Sequence, residues 1–203
     1  MSKPLVLLSN EEIHEIVGKI IASPDFSTDG YTMMKVAPFA SMSDVDKMLS
    51  AADEKGISFG GLYPFASSKA VASSALSSYK REDYGTFKKS FPFLAKDDIG
   101  SLIKDVYELD PDFMAKSEAG GMYLRSFMFH KDLMDLFFSM LESMPDEAYK
   151  FIGALEYDDW MRLDKECDEG KYEGFPWAKF KDYLNDEMIA KHVSKKDDAS
   201  ESL

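Results

Sequence analysis

The sequence predicts a mainly α-helical protein, and two features of the chain carry this prediction. Apolar residues recur every three or four positions in six segments, which is the spacing of one helix face. Most of these segments are also bordered by capping residues, glycine or proline. The predicted helices cover residues 9–22, 43–55, 97–109, 131–143, 146–167 and 177–191. We therefore expect one bundle-like helical domain over residues 1–193, followed by a disordered polar tail at residues 194–203.

The first two helices have clear boundary signals. Ser9 and Glu12 form the pattern of a capping box, in which each side chain satisfies a backbone N–H of the other residue. Gly56 follows the second helix and supplies the left-handed residue with which many helices end.

Three further helical segments are distinguished by their composition. Residues 131–143 are apolar on most of the helix circumference, which predicts a buried central helix. Pro145 suits the first turn of the helix at 146–167, and Gly170 marks the end of that helix. Residues 66–80 are rich in alanine and serine, and we expect a helix whose small side chains allow close approach.

Three short apolar runs leave room for a small β element of two or three strands. They cover residues 31–36, 57–59 and 122–129. Periodicity alone does not separate a strand from a helix in runs this short. The predicted fold class is therefore mainly α with a minor β element.

A Pro-Phe motif recurs before three predicted helices. The chain reads Pro-Phe-Ala-Ser at residues 38–41 and 64–67, and Pro-Phe-Leu-Ala at residues 92–95. Such spacings also occur in stacked helical repeats. The helices share no pattern beyond amphipathicity, so we interpret the motif as a common way to start a helix.

The charge of the chain restricts its partners. It has 37 acidic and 24 basic residues, and residues 142–203 hold 17 of the acids against 9 lysines and arginines. Direct binding to nucleic acid or to an anionic membrane requires the opposite charge. A basic protein surface is the partner that this charge favours.

Cysteine content and hydropathy indicate the compartment. Cys167 is the single cysteine, so an intramolecular disulfide is impossible and a reducing cytoplasm is expected. The apolar run at residues 5–8 is too short for a secretory signal, and the sequence has no apolar run of membrane-spanning length. We expect a cytoplasmic protein.

The usual catalytic, cofactor and metal motifs are missing from the sequence. Cys167 is flanked by Glu166 and Asp168, whose negative charge disfavours a reactive thiolate. The acids at 164, 166 and 168 resemble the start of a calcium loop, but Glu169 and Phe175 stand where that loop needs glycine and glutamate. We therefore assign no catalytic residue, no cofactor and no metal ligand.

The sequence favours an interaction protein over an enzyme. In this hypothesis carboxylates on a long helix present a row of negative charge to a basic partner, as an inhibitor that mimics nucleic acid or as an assembly adaptor. The alternative is a hydrolase that uses a carboxylate cluster, with or without a divalent metal. Aromatic residues near the acids would anchor the partner, and Trp177 is a further anchor of this kind. The predicted partner-binding residues are Asp158, Asp159, Trp160, Asp164, Glu166, Asp168, Glu169, Tyr172 and Glu173.

Overall fold

The structure, a computed structural model, describes residues 4–23 and 30–180. Within these ranges it is mainly helical, which confirms the predicted class. The α-helices are α1 (Asn10–Ala22), α2 (Gly30–Val36), α3 (Met42–Glu54), α4 (Ser68–Lys80), α5 (Tyr84–Ser90), α6 (Lys96–Leu109), α7 (Phe113–Ser117), α8 (Gly121–Leu124), α9 (His130–Ser143), α10 (Pro145–Ala148) and α11 (Tyr157–Asp168).

The minor β element is wrong for the described residues, which contain no strand. Residues 31–36 lie in α2, residues 57–59 have no regular structure, and residues 122–129 pass from α8 into turns. Met33 and Val36 are the buried residues of α2, and their spacing of three is that of a helix. A helix of seven residues is too short for this spacing to be recognised in the sequence.

The local boundary signals act as expected. Ser9 Oγ accepts from the Glu12 N–H at 3.2 Å, and Glu12 Oε2 accepts from the Ser9 N–H at 2.7 Å, which completes the capping box of α1. Gly56 adopts a φ of +70° after α3, and the N–H of Ile57 reaches the carbonyl of Ala52. Both helix ends are therefore set by the residues that the sequence indicated.

The predicted continuous helix at residues 146–167 is wrong. Pro145 does start a helix, but α10 ends at Ala148 and a 3-10 helix covers Tyr149–Ala154. Leu155 is extended, and Glu156 then caps α11. The Glu156 side chain and the Asp159 side chain form a reciprocal capping box that starts a new helix at this point.

The chain divides into two compact units, Met1–Ala119 and Gly120–Leu203, which we call the N-terminal and C-terminal units. The single domain over residues 1–193 stays a prediction, because one domain can contain two compact units. Residues Trp177–Lys179 form a 3-10 helix at the start of the helix predicted at 177–191. Phe180 follows it as a turn, and residues 181–191 and the tail at 194–203 lie outside the described residues.

The three Pro-Phe motifs of the N-terminal unit have the same structure. Each forms the end of a 3-10 helix, continues through one extended residue and reaches the N-cap of the next long α-helix. The N-caps are Ser41, Ser67 and Ala95. Counted from each N-cap, the residues at positions 4, 8 and 11 are buried: Val45, Leu49 and Ala52; Val71, Ala75 and Ser78; Ile99, Ile103 and Val106. A shared helix start therefore fixes which face of α3, α4 and α6 enters the core.

The core of the C-terminal unit is built on α9. Seven residues of this helix are buried, in agreement with its predicted burial: Leu133, Met134, Leu136, Phe137, Phe138, Met140 and Leu141. Phe137 meets Phe151 of the 3-10 helix with ring centroids 6.1 Å apart. Trp160 and Leu163 are the buried residues of α11. The burial of these two residues places one face of α11, the helix that bears most of the candidate residues, against the interior.

Candidate functional site

The candidate carboxylates lie mainly on α11, and the helix gives them different environments. Trp160 and Leu163 lie on its buried face, while Asp158 and Asp168 are exposed. Successive residues of a helix point in directions 100° apart, so neighbouring residues spread around its circumference. Acids that are close together in the sequence therefore do not form one continuous acidic face. Each carboxylate has to be placed individually.

Asp159 holds the start of α11. Its Oδ2 accepts from the Glu156 N–H at 2.8 Å and lies 2.7 Å from Nε2 of His130, the first residue of α9. The Asp159 side chain is only 15% exposed. This aspartate therefore connects two helices of its own unit and is not presented to a partner.

Asp164 is bonded to a buried tryptophan. Nε1 of Trp177 donates to Asp164 Oδ1 at 2.9 Å, and the Trp177 ring lies 5.6 Å from that of Trp160, centroid to centroid. Trp160 and Trp177 are 4% and 7% exposed. The two rings and the carboxylate together fix the segment that follows α11.

Glu166 is the centre of a network of hydrogen bonds. It accepts from Arg162 Nε at 2.8 Å, from Lys171 Nζ at 3.1 Å and from the hydroxyl of Tyr172. Burial alone would raise the pKa of Glu166, but the bonds from Arg162, Tyr172 and Lys171 lower it to about 2. Burial, followed by the bond to Glu166, raises the pKa of Tyr172 to about 12. The Arg162 guanidinium also lies over the Phe138 ring, 3.7 Å from its centroid.

The expectation that Asp159, Asp164 and Glu166 face solvent as a binding row is therefore wrong. Their carboxylates accept hydrogen bonds from within the C-terminal unit. Trp160 and Tyr172 are buried and contribute to the core in this conformation. The candidate residues that are exposed are Asp158, Asp168, Glu169 and Glu173.

The calcium-like run at 164, 166 and 168 lies in a helix and not in a loop. The side chain of Asp164 is bonded to Trp177 and that of Glu166 to Arg162, so their oxygens do not converge on one point. Among the described residues no three His, Cys, Asp or Glu side chains are grouped so that they could hold a metal ion.

A second group of polar residues, in the N-terminal unit, was missed by the sequence analysis. Nδ1 of His14 lies 2.7 Å from Oδ1 of Asp44, and the Ser41 hydroxyl donates to Asp44 Oδ2 at 2.9 Å. Burial raises the pKa of Asp44, but the bonds from Ser41 and His14 outweigh burial and lower it. These residues and Phe39 line an open groove of about 500 Å³.

A second groove, of about 560 Å³, lies between α3 and α4. It is lined by Asp46, Asp53 and Glu54 together with three serines. Burial raises the pKa of Asp53, even though Arg81 lies 3.3 Å from its carboxylate and Ser74 bonds to it. Catalytic acids often have a raised pKa, but a partly buried structural carboxyl can have one too.

The signals for these arrangements were present in the sequence but were not specific. Ser41 and Asp44 have the spacing of an N-cap and a first-turn acid, which predicts a helix start without predicting His14 as a partner. His14 and Asp44 are 30 residues apart, and no local pattern joins positions at that distance.

No protein-family model matches the chain, and the comparisons with curated proteins and with solved structures found no match. Among the described residues, no helix is both long enough and apolar enough to cross a membrane.

Proposed function

We propose that this chain is an acidic interaction protein that binds a basic protein surface. The observation that carries the proposal is the exposure of Asp158, Asp168, Glu169 and Glu173 on and directly after α11, in a region with a surplus of acids. Such a surface attracts a basic partner and speeds its association, because opposite charges steer the encounter. An inhibitor that occupies a nucleic-acid-binding groove and an assembly adaptor both fit this chemistry.

The internal bonds of α11 support the proposal indirectly. The network around Glu166 and the Trp177–Asp164 bond hold the helix, so the exposed acids are presented on a fixed frame. Met161 is 43% exposed on the same helix and offers an adaptable apolar contact beside the charges. It takes the anchoring role that the buried Trp160 does not offer. Lys165 lies 4.0 Å from Glu169 and partly offsets the charge of that residue.

The test compares two sets of four neutralised acids. In the first set Asp158, Asp168, Glu169 and Glu173 become Asn or Gln. The control set changes four exposed acids of the N-terminal unit in the same way, namely Glu82, Asp97, Asp105 and Glu108. The two sets are matched in two ways. Each set removes four negative charges, and each includes the second residue of a helix, Asp97 in α6 and Asp158 in α11.

The partner is first isolated from the native cell by affinity capture and identified, and its association rate is then measured at rising salt. We expect the first set to slow association and flatten its salt dependence, while the control set leaves the rate close to that of the unchanged protein. Equal rates for the two sets would mean that the acids of α11 only solvate the protein, and the proposal would fail.

A hydrolase is the second candidate, and the groove with Asp46, Asp53 and Glu54 is the specific observation that favours it. A carboxyl with a raised pKa can act as a general acid beside an ionised neighbour. The test is a screen of glycosidic, phosphate and ester substrates with the unchanged protein and with Asp53→Asn. A turnover that is lost in the variant would favour the enzyme.

A further inference from the structure

An open groove in the N-terminal unit brings together a buried apolar residue, an exposed aromatic ring and carboxylates. Its volume is about 500 Å³. Among the residues that line it are Glu11, Ile13 and Glu15 of α1, together with Phe39 and Asp44 from the segment that leads into α3 and begins it. We call it the Phe39 groove. The acids of α11 belong to the C-terminal unit and line no part of it.

The aromatic ring of the groove is one of three phenylalanines at equivalent positions. Phe39, Phe65 and Phe93 each lie two residues before the N-cap of a long helix. Phe65 packs against the core, and the Phe93 ring lies 6.2 Å from that of Tyr63, centroid to centroid. Phe39 lines the open groove and is 43% exposed. A ligand that covers the Phe39 ring therefore removes apolar surface from water.

The charge of the groove favours a cation. Glu11, Glu15 and Asp44 line it, and no lysine or arginine stands among its described lining residues. A hydrogen bond from its own backbone N–H, followed by one from Ser9, lowers the pKa of Glu11, so this carboxylate is ionised at neutral pH. Lys47 Nζ lies 3.6 Å from Asp44 Oδ1 and offsets part of the negative charge.

An anion and a metal ion fit the groove less well. Ser9 Oγ accepts from the Glu12 N–H, and Ser41 Oγ accepts from the Asp44 N–H, both at 3.2 Å. Each bond satisfies a first-turn donor that an anion would otherwise bind, and the carboxylates repel an anion. In the part of the chain that the structure describes, no three His, Cys, Asp or Glu side chains are grouped to hold a metal ion. An organic cation is the class of ligand that suits these groups.

The C-terminal unit holds an arginine of its own with the same kinds of group. The Arg162 guanidinium lies over the Phe138 ring, 3.7 Å from its centroid, and Arg162 Nε donates to Glu166 at 2.8 Å. A flat guanidinium stacks on a ring while its edge donates to carboxylates, whereas the ammonium of lysine is compact and more strongly hydrated. The Phe39 groove offers a ring and carboxylates in one place, and arginine is the side chain that uses both.

We propose that the Phe39 groove binds an arginine side chain of a partner protein, with the guanidinium against the Phe39 ring and its N–H groups on Glu11 and Glu15. The groove is larger than one side chain, so peptide residues beside the arginine enter it as well. Charge complementarity selects this occupant, because three carboxylates line the groove and attract a basic segment. The site does not depend on the role proposed for α11.

The probe for the test is the tripeptide acetyl-Ala-Arg-Ala-amide, added to the isotope-labelled full chain and followed by NMR. Two analogues carry citrulline, which keeps the planar shape without the charge, or lysine, which keeps the charge without the plane. We expect saturable shifts confined to the backbone amides of residues 9–15 and 39–45, weaker binding of the lysine peptide and no saturation with the citrulline peptide. Equal affinity for either analogue, or shifts spread over both units without saturation, would overturn the proposal.

The contribution of the ring is tested with Phe39→Leu, which keeps an apolar side chain and loses the aromatic face. The control is Phe93→Leu, which changes the equivalent residue before α6, itself 39% exposed. We expect the Kd of the arginine tripeptide to rise by about 2–5-fold in the groove variant and to stay unchanged in the control. Equal affinities in the two variants would mean that no ring of the groove contacts the guanidinium, and the proposal would fail.

The contribution of the charges is tested with the double variant Glu11→Gln, Glu15→Gln. Its control is Asp97→Asn, Asp105→Asn, which removes two exposed acids of α6 and likewise includes the second residue of a helix. We expect the Kd to rise by about 3–10-fold in the groove variant alone. Equal affinities in the double variant and its control would overturn the assignment.

A further variant separates this inference from the proposed function. The protein with the four exposed acids of α11 and its following segment neutralised should bind the arginine tripeptide as the unchanged protein does. If that variant lost the tripeptide while the groove variants kept it, the arginine site would lie at α11. The inference about the Phe39 groove would then be wrong, and the proposed function would stand.

Discussion

The indole of Trp177 is held on its edge and on its face by two residues one turn apart on α11. Its Nε1–H donates to Asp164 Oδ1 across 2.9 Å, and its ring lies against Trp160 with centroids 5.6 Å apart. The side chain is buried, at 7% exposure. A polar and an apolar contact therefore both attach the segment after α11 to the core.

Two substitutions of Trp177 should destabilise the protein to different extents, and together they separate the contribution of the ring from that of its hydrogen bond. Trp177→Ala removes the ring and leaves Asp164 without its donor, so the free energy of unfolding should fall by about 3–5 kcal/mol. Trp177→Phe keeps an aromatic ring and loses the hydrogen bond, and we expect a fall of about 1–3 kcal/mol. Urea unfolding followed by circular dichroism measures both. A loss below about 1 kcal/mol in the alanine variant would contradict the buried position.

Glu166 should stabilise the protein at neutral pH and not in strong acid. Its pKa is about 2 in the folded protein against an ordinary value of 4.5, so the folded state favours the ionised form. The stabilisation is fully present above about pH 4.5 and is lost as the pH falls towards about 2. We expect Glu166→Gln to cost about 2 kcal/mol at pH 7 and progressively less below pH 4.5.

The control for this prediction is Glu173→Gln, which changes an exposed carboxylate seven residues later. Chemical unfolding at several pH values between 3 and 7 gives the difference between each variant and the unchanged protein. A cost for Glu166→Gln that stays constant over this range would mean that the charge of Glu166 is not what stabilises the fold.

The fold class was predictable because the long helices carry local signals. The capping box of Ser9 and Glu12 and the left-handed Gly56 act through residues a few positions away, and sequence reasoning placed them correctly. The break at Leu155 was missed because Phe151, Ala154 and Leu155 are apolar and continue the helical pattern. The competing signal was a capping box made of two carboxylates, Glu156 and Asp159, in place of its usual serine or threonine.

The candidate site was less predictable, because the role of a carboxylate depends on donors far away in sequence. Asp164 and Glu166 are two residues apart, yet one accepts from Trp177 and the other from Arg162, Lys171 and Tyr172. Asp159 accepts from His130, 29 residues earlier. Spacing along α11 indicates which way a side chain points, but not which donor it meets there.

Gly121 should tolerate no side chain, whereas Gly120 should. A Cβ at Gly121 would lie 2.6 Å from Cδ1 and 2.9 Å from Cα of Phe151, and a backbone atom cannot turn away. We expect Gly121→Ala to lower the free energy of unfolding by about 1–3 kcal/mol through overpacking. Thermal unfolding measures the effect.

Gly120→Ala is the matched control. A Cβ there has no atom within 4 Å, and its φ of −67° suits any residue. Its stability should stay within about 0.5 kcal/mol of the unchanged protein. Similar effects for the two neighbours would mean that α8 and the Tyr149–Ala154 segment do not approach as closely as the structure has them.

Glu82→Gly should stabilise the protein, because Glu82 has a left-handed backbone at the end of α4. Its φ is +63°, its N–H bonds to the Tyr79 carbonyl, and the next N–H bonds to Ser78. Gly56 and Gly170 hold the same place after α3 and α11, with φ of +70° and +76°. A side chain in this conformation costs about 1 kcal/mol, which glycine avoids at the expense of a more flexible unfolded chain. We expect a net gain of about 0.5 kcal/mol in the free energy of unfolding.

The control is Glu82→Ala, which removes the same carboxylate but keeps a Cβ in the left-handed conformation. Because both variants lose the charge of Glu82, the difference between them isolates the backbone. The glycine variant should unfold at a higher urea concentration than the alanine variant, and the alanine variant should lie at or below the unchanged protein. If glycine and alanine give the same midpoint, the chain leaves α4 without the left-handed turn, and the path from α4 into α5 must differ from the one described.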